Sequence, residues 1–107
     1  MGMKDVFINL VGGLKVDDPA ADLSILCAIA SSFMDKPIDE NIVFIGEIGL
    51  TGEVRSISRL GHRLAEVKAL GFSGAIVPNA SMNEKINKSK LKIYPVTSVR
   101  QTFDILF

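Results

Sequence analysis

Asp17-Asp18-Pro19-Ala20-Ala21-Asp22 decides how the chain is read, together with Gly46-Glu47-Ile48-Gly49-Leu50-Thr51-Gly52-Glu53-Val54-Arg55 downstream. Asp18 stands just before Pro19. A carboxylate there accepts an orphan backbone N–H, and proline suits the first helical position because its missing N–H is not needed. The two residues predict a helix start, and the helix runs to about Met34. Ala20, Leu23, Ile25, Leu26, Cys27, Ala28, Ile29, Ala30 and Phe33 place apolar groups nearly all the way round it, the pattern of a central helix. Asp35 to Glu40, with Pro37, forms the exit loop. In the second stretch, Thr51-Gly52 reads as a two-residue turn. Strands arrive through Glu47-Ile48 to Leu50 and return over Glu53 to Ile57.

Working outward, Val6 to Val11 reads as a buried strand closed by Gly12-Gly13, with Leu14-Lys15-Val16 extended beyond it. Ile42 to Ile45 is a second buried strand. Ser58 caps a predicted helix over Arg59 to Leu70, with Leu60, Leu64, Val67 and Leu70 on one stripe and Gly71 as its C′ residue. Gly74 to Pro78 is a short strand. Ser81-x-x-Glu84 has the capping-box pattern for a turn or two of helix. Asn83 to Lys90 reads as a solvated connection. Leu91 to Val96 is a strand that Pro95 places near an edge. Ser98-x-x-Gln101 opens a last helix with Val99, Phe103 and Leu106 facing inward. The order β-α-β-β-α-β-(α)-β-α gives a mixed α/β or α+β class.

At 107 residues the chain has the size of one domain, and an apolar fraction of 48% with no Trp supports an aliphatic core. Met1-Gly2-Met3 reads as an expression scar, leaving residues 4–107 as the single domain. Formal net charge is zero, so no global field drives binding to nucleic acid or membrane, and any such contact must come from a local patch. One cysteine, Cys27, in an apolar run reads as a core residue. With a single histidine beside it, the composition excludes a disulfide framework and a four-ligand Cys/His site within the chain. No stretch approaches the roughly 20 apolar residues that span a bilayer. A cytoplasmic setting is expected.

Asp17 to Asp22 resembles the Asp-Gly-Pro-Ser-Ala-Gly element of Lon-type Ser-Lys proteases. Gly46, Glu47, Ile48, Leu50, Gly52 and Val54 match that family's hairpin. The ordered set Asp5 to Gly13, Ala21-Asp22-Leu23 with Ala28, Ser31 and Ser32, Gly46 to Arg55, Gly71-Phe72 and Ala75 to Ala80 is similar to the C-terminal Lon-like domain of the RadA (Sms) family of bacterial DNA repair ATPases. The resemblance implies a Lon proteolytic-domain-like fold, of the ribosomal-protein domain-2-like class, with a mixed sheet and packed helices. It also implies strands before Asp5, so that the fragment is N-terminally truncated and part of a larger ATPase. The Lon-like domains of magnesium-chelatase-like competence ATPases carry related hairpins and are the main alternative.

Matching the family position by position puts Ala20 where the nucleophilic serine belongs and Gly61 where the lysine belongs. A Ser-Lys dyad needs a hydroxyl to attack and an amine to take its proton, and neither residue supplies one. Ser24, one turn on, could seat a divergent serine peptidase. A hydroxyl inside a helix more often bonds back to a carbonyl. Asp17, Asp18 and Asp22 hint at a metal, but Asp18 is accounted for by capping and Asp22 can reach the first-turn N–H groups. No metal site is expected. Gly12-Gly13-Leu14-Lys15 lacks the spacing of a phosphate loop. The chain itself calls for no cofactor, and the resemblance implies ATP, magnesium and zinc for the rest of the parent protein.

A basic group remains: Arg55, Arg59, His62, Arg63 and, farther along, Lys68. One reading is a solvated helix face with an Arg63–Glu66 pair worth a few tenths of a kcal/mol. The other is a patch that touches DNA phosphates without reading sequence. The absence of neighbouring aromatics argues against single-strand stacking. The resemblance implies a ring-forming repair motor that drives branch migration, with this domain helping ring assembly and DNA binding. A pure interaction module is the further reading.

Overall fold

The computed structural model describes residues 18–83, 86 and 91–107. The strand expected over Val6–Val11, Glu84 of the expected capping box, and most of the Asn83–Lys90 connection lie outside the described residues. The elements are α1 (Asp22–Met34), β1 (Ile42–Phe44), β2 (Glu47–Ile48), β3 (Val54–Arg55), α2 (Leu60–Ala69), β4 (Gly74–Pro78), β5 (Lys92–Val96) and α3 (Val99–Leu106). Single 3-10 turns cover Pro19–Ala21 and Asn79–Ser81. The mixed α/β class holds. No described helix is long and apolar enough to cross a membrane.

Among the described residues, β1, β4 and β5 form a parallel sheet in the order β1-β4-β5, and β2–β3 is a separate antiparallel hairpin. Alternation along the strands sorts the core onto two faces. Val43, Ile45, Ala75 and Val77 pack with Leu60, Leu64 and Val67 of α2. Phe44, Ile76 and Val96 pack with Leu23, Cys27 and Ala28 of α1, backed by Phe103 and Leu106 of α3. The sheet is therefore the middle layer between α2 on one side and α1 with α3 on the other. β4 is central and buried at every residue, and β5, with Pro95, is one of the two outer strands among those described, as expected.

Two local readings, the Ser98 cap and the Gly71 close, meet their structures directly. Ser98 Oγ accepts the Gln101 N–H at 3.0 Å, so α3 starts on its expected cap. Gln101 reaches back one residue further than expected, accepting from the Thr97 N–H at 2.7 Å. Gly71, at φ +95°, ends α2. Its N–H donates to Lys68 O and that of Phe72 to Val67 O, the paired bonds of a Schellman close.

Other expectations are corrected. α1 is not central: Leu23, Ser24, Cys27, Ala28 and Ser31 are buried, while Ile29 is 51% and Phe33 90% exposed. The helix lies against one face of a sheet, so only the stripe at i, i+3, i+4 spacing is covered. The hairpin loop is not two residues long. Gly52 N–H donates to Gly49 O and Gly49 N–H to Glu53 O. Gly52 is at φ +83°, which makes a three-residue loop ending in a glycine bulge. Ser58 does not cap α2: Arg59, left-handed at φ +59°, is the N-cap and its side chain makes no capping bond. The Ser81 hydroxyl accepts the Ile57 N–H at 2.9 Å, pinning the loop before α2 to the turn after β4.

Candidate functional site

The start of α1 and the hairpin are bonded into one joint. Asp18 Oδ1 accepts the Ala20 N–H at 2.9 Å, as the capping argument requires. Ala20 O then accepts the Gly46 N–H at 2.8 Å, and the Leu23 N–H donates to Gly46 O at 3.0 Å. Gly46 has to be small there: a Cβ would stand 2.8 Å from Val54 Cγ1 and 3.5 Å from Leu23 Cδ2. Asp22 does not turn back to its own helix. Its Oδ2 accepts the Ile48 N–H at 3.2 Å, 26 residues away. On its other side the hairpin is held by Val54 N–H to Thr97 O and Val99 N–H to Gly52 O, both 2.9 Å. The hairpin thus ties the start of α1 to the start of α3.

Ala20 is 1% exposed and belongs to the same core cluster as Leu60 and Leu64. It lines a small cleft of about 180 Å³ with Asp18, Glu47, Ser56, Ser58 and Arg63. Gly61 lines the neighbouring cleft of about 340 Å³, and Ile57 is common to both. A Cβ on Gly61 would meet nothing within 4 Å. Ala20 and Gly61, the two positions that the resemblance matches to nucleophile and base, thus line adjacent clefts. Ser24 is fully buried and its hydroxyl donates to Ala21 O at 2.8 Å, the back-bonding expected of a helical serine.

The two opposite charges at the first cleft, Asp18 and Arg63, are already paired. Arg63 Nη1 donates to Asp18 Oδ2 at 2.8 Å while its Nε donates to Ser58 O at 3.1 Å. Arg63 therefore bridges the start of α1 and the loop before α2. The Ala20 N–H, then the Arg63 guanidinium, hold the Asp18 carboxyl below the usual carboxylate range. The charges of Asp18 and Asp22 are thus engaged by a helix start, an arginine and a hairpin amide.

The five basic residues expected to act together are in different situations. Arg55 on β3 faces Glu47, its ladder partner, at 4.0 Å and Glu53 at 3.8 Å. Thr51, through its hydroxyl and then its backbone N–H, holds the Glu53 carboxyl below its usual range, fixing a negative charge beside Arg55. Arg63 is spent in the cleft, so the Arg63–Glu66 pair does not form. His62 takes Glu66 instead, at 3.3 Å, with both side chains mostly exposed. Arg59 and Lys68 have no ion pair among the described residues, and both are exposed. Sequence reading missed the carboxylates. The signal was present for one pair, since Glu47 and Arg55 lie symmetrically about the hairpin loop. For Asp18–Arg63, 45 residues apart, no sequence signal existed.

A three-layer α/β domain with a bonded joint at the start of α1 and exposed charge pairs on β3 and on α2 is the class of protein that this geometry defines. The chain belongs to the family described as ChlI, subunit ChlI of Mg-chelatase, whose family model matches residues 1–81. It is similar to the DNA repair protein RadA of Aquifex aeolicus (strain VF5), 38% identical over 104 residues that cover 97% of this chain and 23% of that protein. RadA of Bacillus subtilis (strain 168) is 41% identical over 98 residues, 92% of this chain and 21% of that protein. RadA of Campylobacter jejuni is 44% identical over 84 residues, 78% of this chain and 19% of that protein. The chain thus spans only 19–23% of the length of these relatives.

Proposed function

We propose that this chain is a non-catalytic, Lon-like scaffold domain of a RadA-type DNA repair ATPase. In this reading it contributes to ring assembly and to non-sequence-specific DNA binding during branch migration in the cytoplasm. ATP, magnesium and zinc serve the remainder of the parent protein. The observation that supports the reading is Ala20, the residue that the resemblance matches to the nucleophile: it is a buried methyl, its carbonyl bonded to Gly46 and its cap to Arg63. A position committed in this way is structural. Phosphate contact falls to the exposed cations: Arg59 and Lys68 are unpaired among the described residues, Arg55 and His62 lie exposed beside carboxylates, and Arg63 is turned to Asp18.

Fluorescence anisotropy with a labelled DNA duplex tests the binding role. Arg59→Ala/Lys68→Ala is expected to weaken binding and to flatten its salt dependence by about two phosphate contacts. Unchanged affinity and slope would remove DNA contact from this face. A second reading, an interaction module of a magnesium-chelatase-like competence ATPase, draws on the family match over residues 1–81. Light scattering across concentration speaks to it, because that role requires association with itself or a partner domain. A serine peptidase acting through Ser24 is disfavoured by the buried hydroxyl, and absence of labelling by a fluorophosphonate is the expected result.

A further inference from the structure

Three of the five candidate DNA-binding cations, Arg55, His62 and Arg63, have carboxylates beside them. Arg55 stands between Glu47 and Glu53, so this trio carries a net charge of −1. Glu66 lies against His62, and Asp18 holds Arg63. Glu53 is oriented by bonds from the Thr51 N–H and hydroxyl, which keep its carboxylate beside Arg55 and not free in solvent. Exposed ion pairs at 3.8–4.0 Å add little to stability. Their consequence for a partner is larger, because a polyanion approaching within the Debye length of ~8–10 Å meets the carboxylates as well as the guanidinium.

We propose that Glu47 and Glu53 are an electrostatic mask, an autoinhibitory contact that withholds Arg55 from a polyanion and holds this face at low affinity. A polyanion engages the face fully when Arg55 swings from the carboxylates to a phosphate. The exchange needs no backbone change, since Arg55 is about half exposed. This inference rests on the DNA reading above and adds a regulator to it: whatever neutralises or draws away the two carboxylates raises DNA affinity.

The experiment compares Glu47→Gln/Glu53→Gln with the unaltered 107-residue chain and with Arg59→Ala/Lys68→Ala, by anisotropy on the same labelled duplex at two salt concentrations. Both carboxamides keep an acceptor oxygen, so the Thr51 bonds and the hairpin ladder persist, and circular dichroism checks this. Each carboxylate removed is expected to tighten binding about threefold at low salt, with the gain shrinking as salt rises. Adding Arg55→Ala to the double carboxamide should abolish the gain. If the carboxamides leave affinity unchanged while Arg59→Ala/Lys68→Ala weakens it, the mask is overturned and the DNA reading stands. If neither variant changes binding, or no protein binds, both are overturned.

Discussion

The joint at Ala20 and the face around Arg55 use the same groups, carboxylates and guanidinium ions, to opposite ends. At the joint, Asp18 and Arg63 are largely covered, meet at 2.8 Å, and divide their remaining atoms between the Ala20 N–H and Ser58 O. On the face, Arg55 lies 3.8–4.0 Å from two carboxylates, with each partner open to water. Directed, partly buried bonds fix geometry, while loose exposed pairs set charge. The difference locates rigidity where the resemblance would have put chemistry, and adjustability where a partner would bind.

The contrast breaks if the joint proves soft. Leu23, fully buried beneath it, is the severest probe: Leu23→Ala should cost about 2–5 kcal/mol in urea unfolding. A loss under about 1 kcal/mol would mean that the joint collapses easily onto the gap. Asp18→Ala comes next, removing a cap and an arginine partner together at about 1–2 kcal/mol. Its pH dependence sharpens the point. The folded Asp18 carboxyl lies below its unfolded value, so its contribution is complete above the unfolded pKa of about 3.9 and is lost as pH falls through the lower folded value. The stability difference between the unaltered chain and Asp18→Ala should therefore shrink only below about pH 4, as thermal melts across pH will read. The smallest effect belongs to the exposed face: Glu66→Ala, which removes the partner of His62, should change stability by no more than about 0.5 kcal/mol. A larger loss would make the face part of the structural frame.

Local rules read well where the partner lies within a turn. Asp18 caps Ala20, Ser98 caps Gln101, and Gly71 closes α2, each bond spanning two or three residues. The same rules misread Ser58. They also gave no sign that the Ser81 hydroxyl would take the N–H of Ile57, 24 residues away. Arg63 had the spacing of a helical pair with Glu66, but Asp18 gave a shorter, drier partner. The wrap of apolar residues on α1 did not predict its exposure, because composition around a helix does not say how many faces neighbours will cover.

The sequence by itself determined the α/β class, the capped turn that leads into α1, the start of α3 and the end of α2, because each depends on residue identity and short-range backbone geometry. Only the tertiary structure decided that Arg63 turns inward to Asp18, that Asp22 holds the hairpin, and that Arg55 is flanked by Glu47 and Glu53. Those are choices among competing partners of equal chemistry. Distance and burial settle them, and both exist only once the strands and helices have packed.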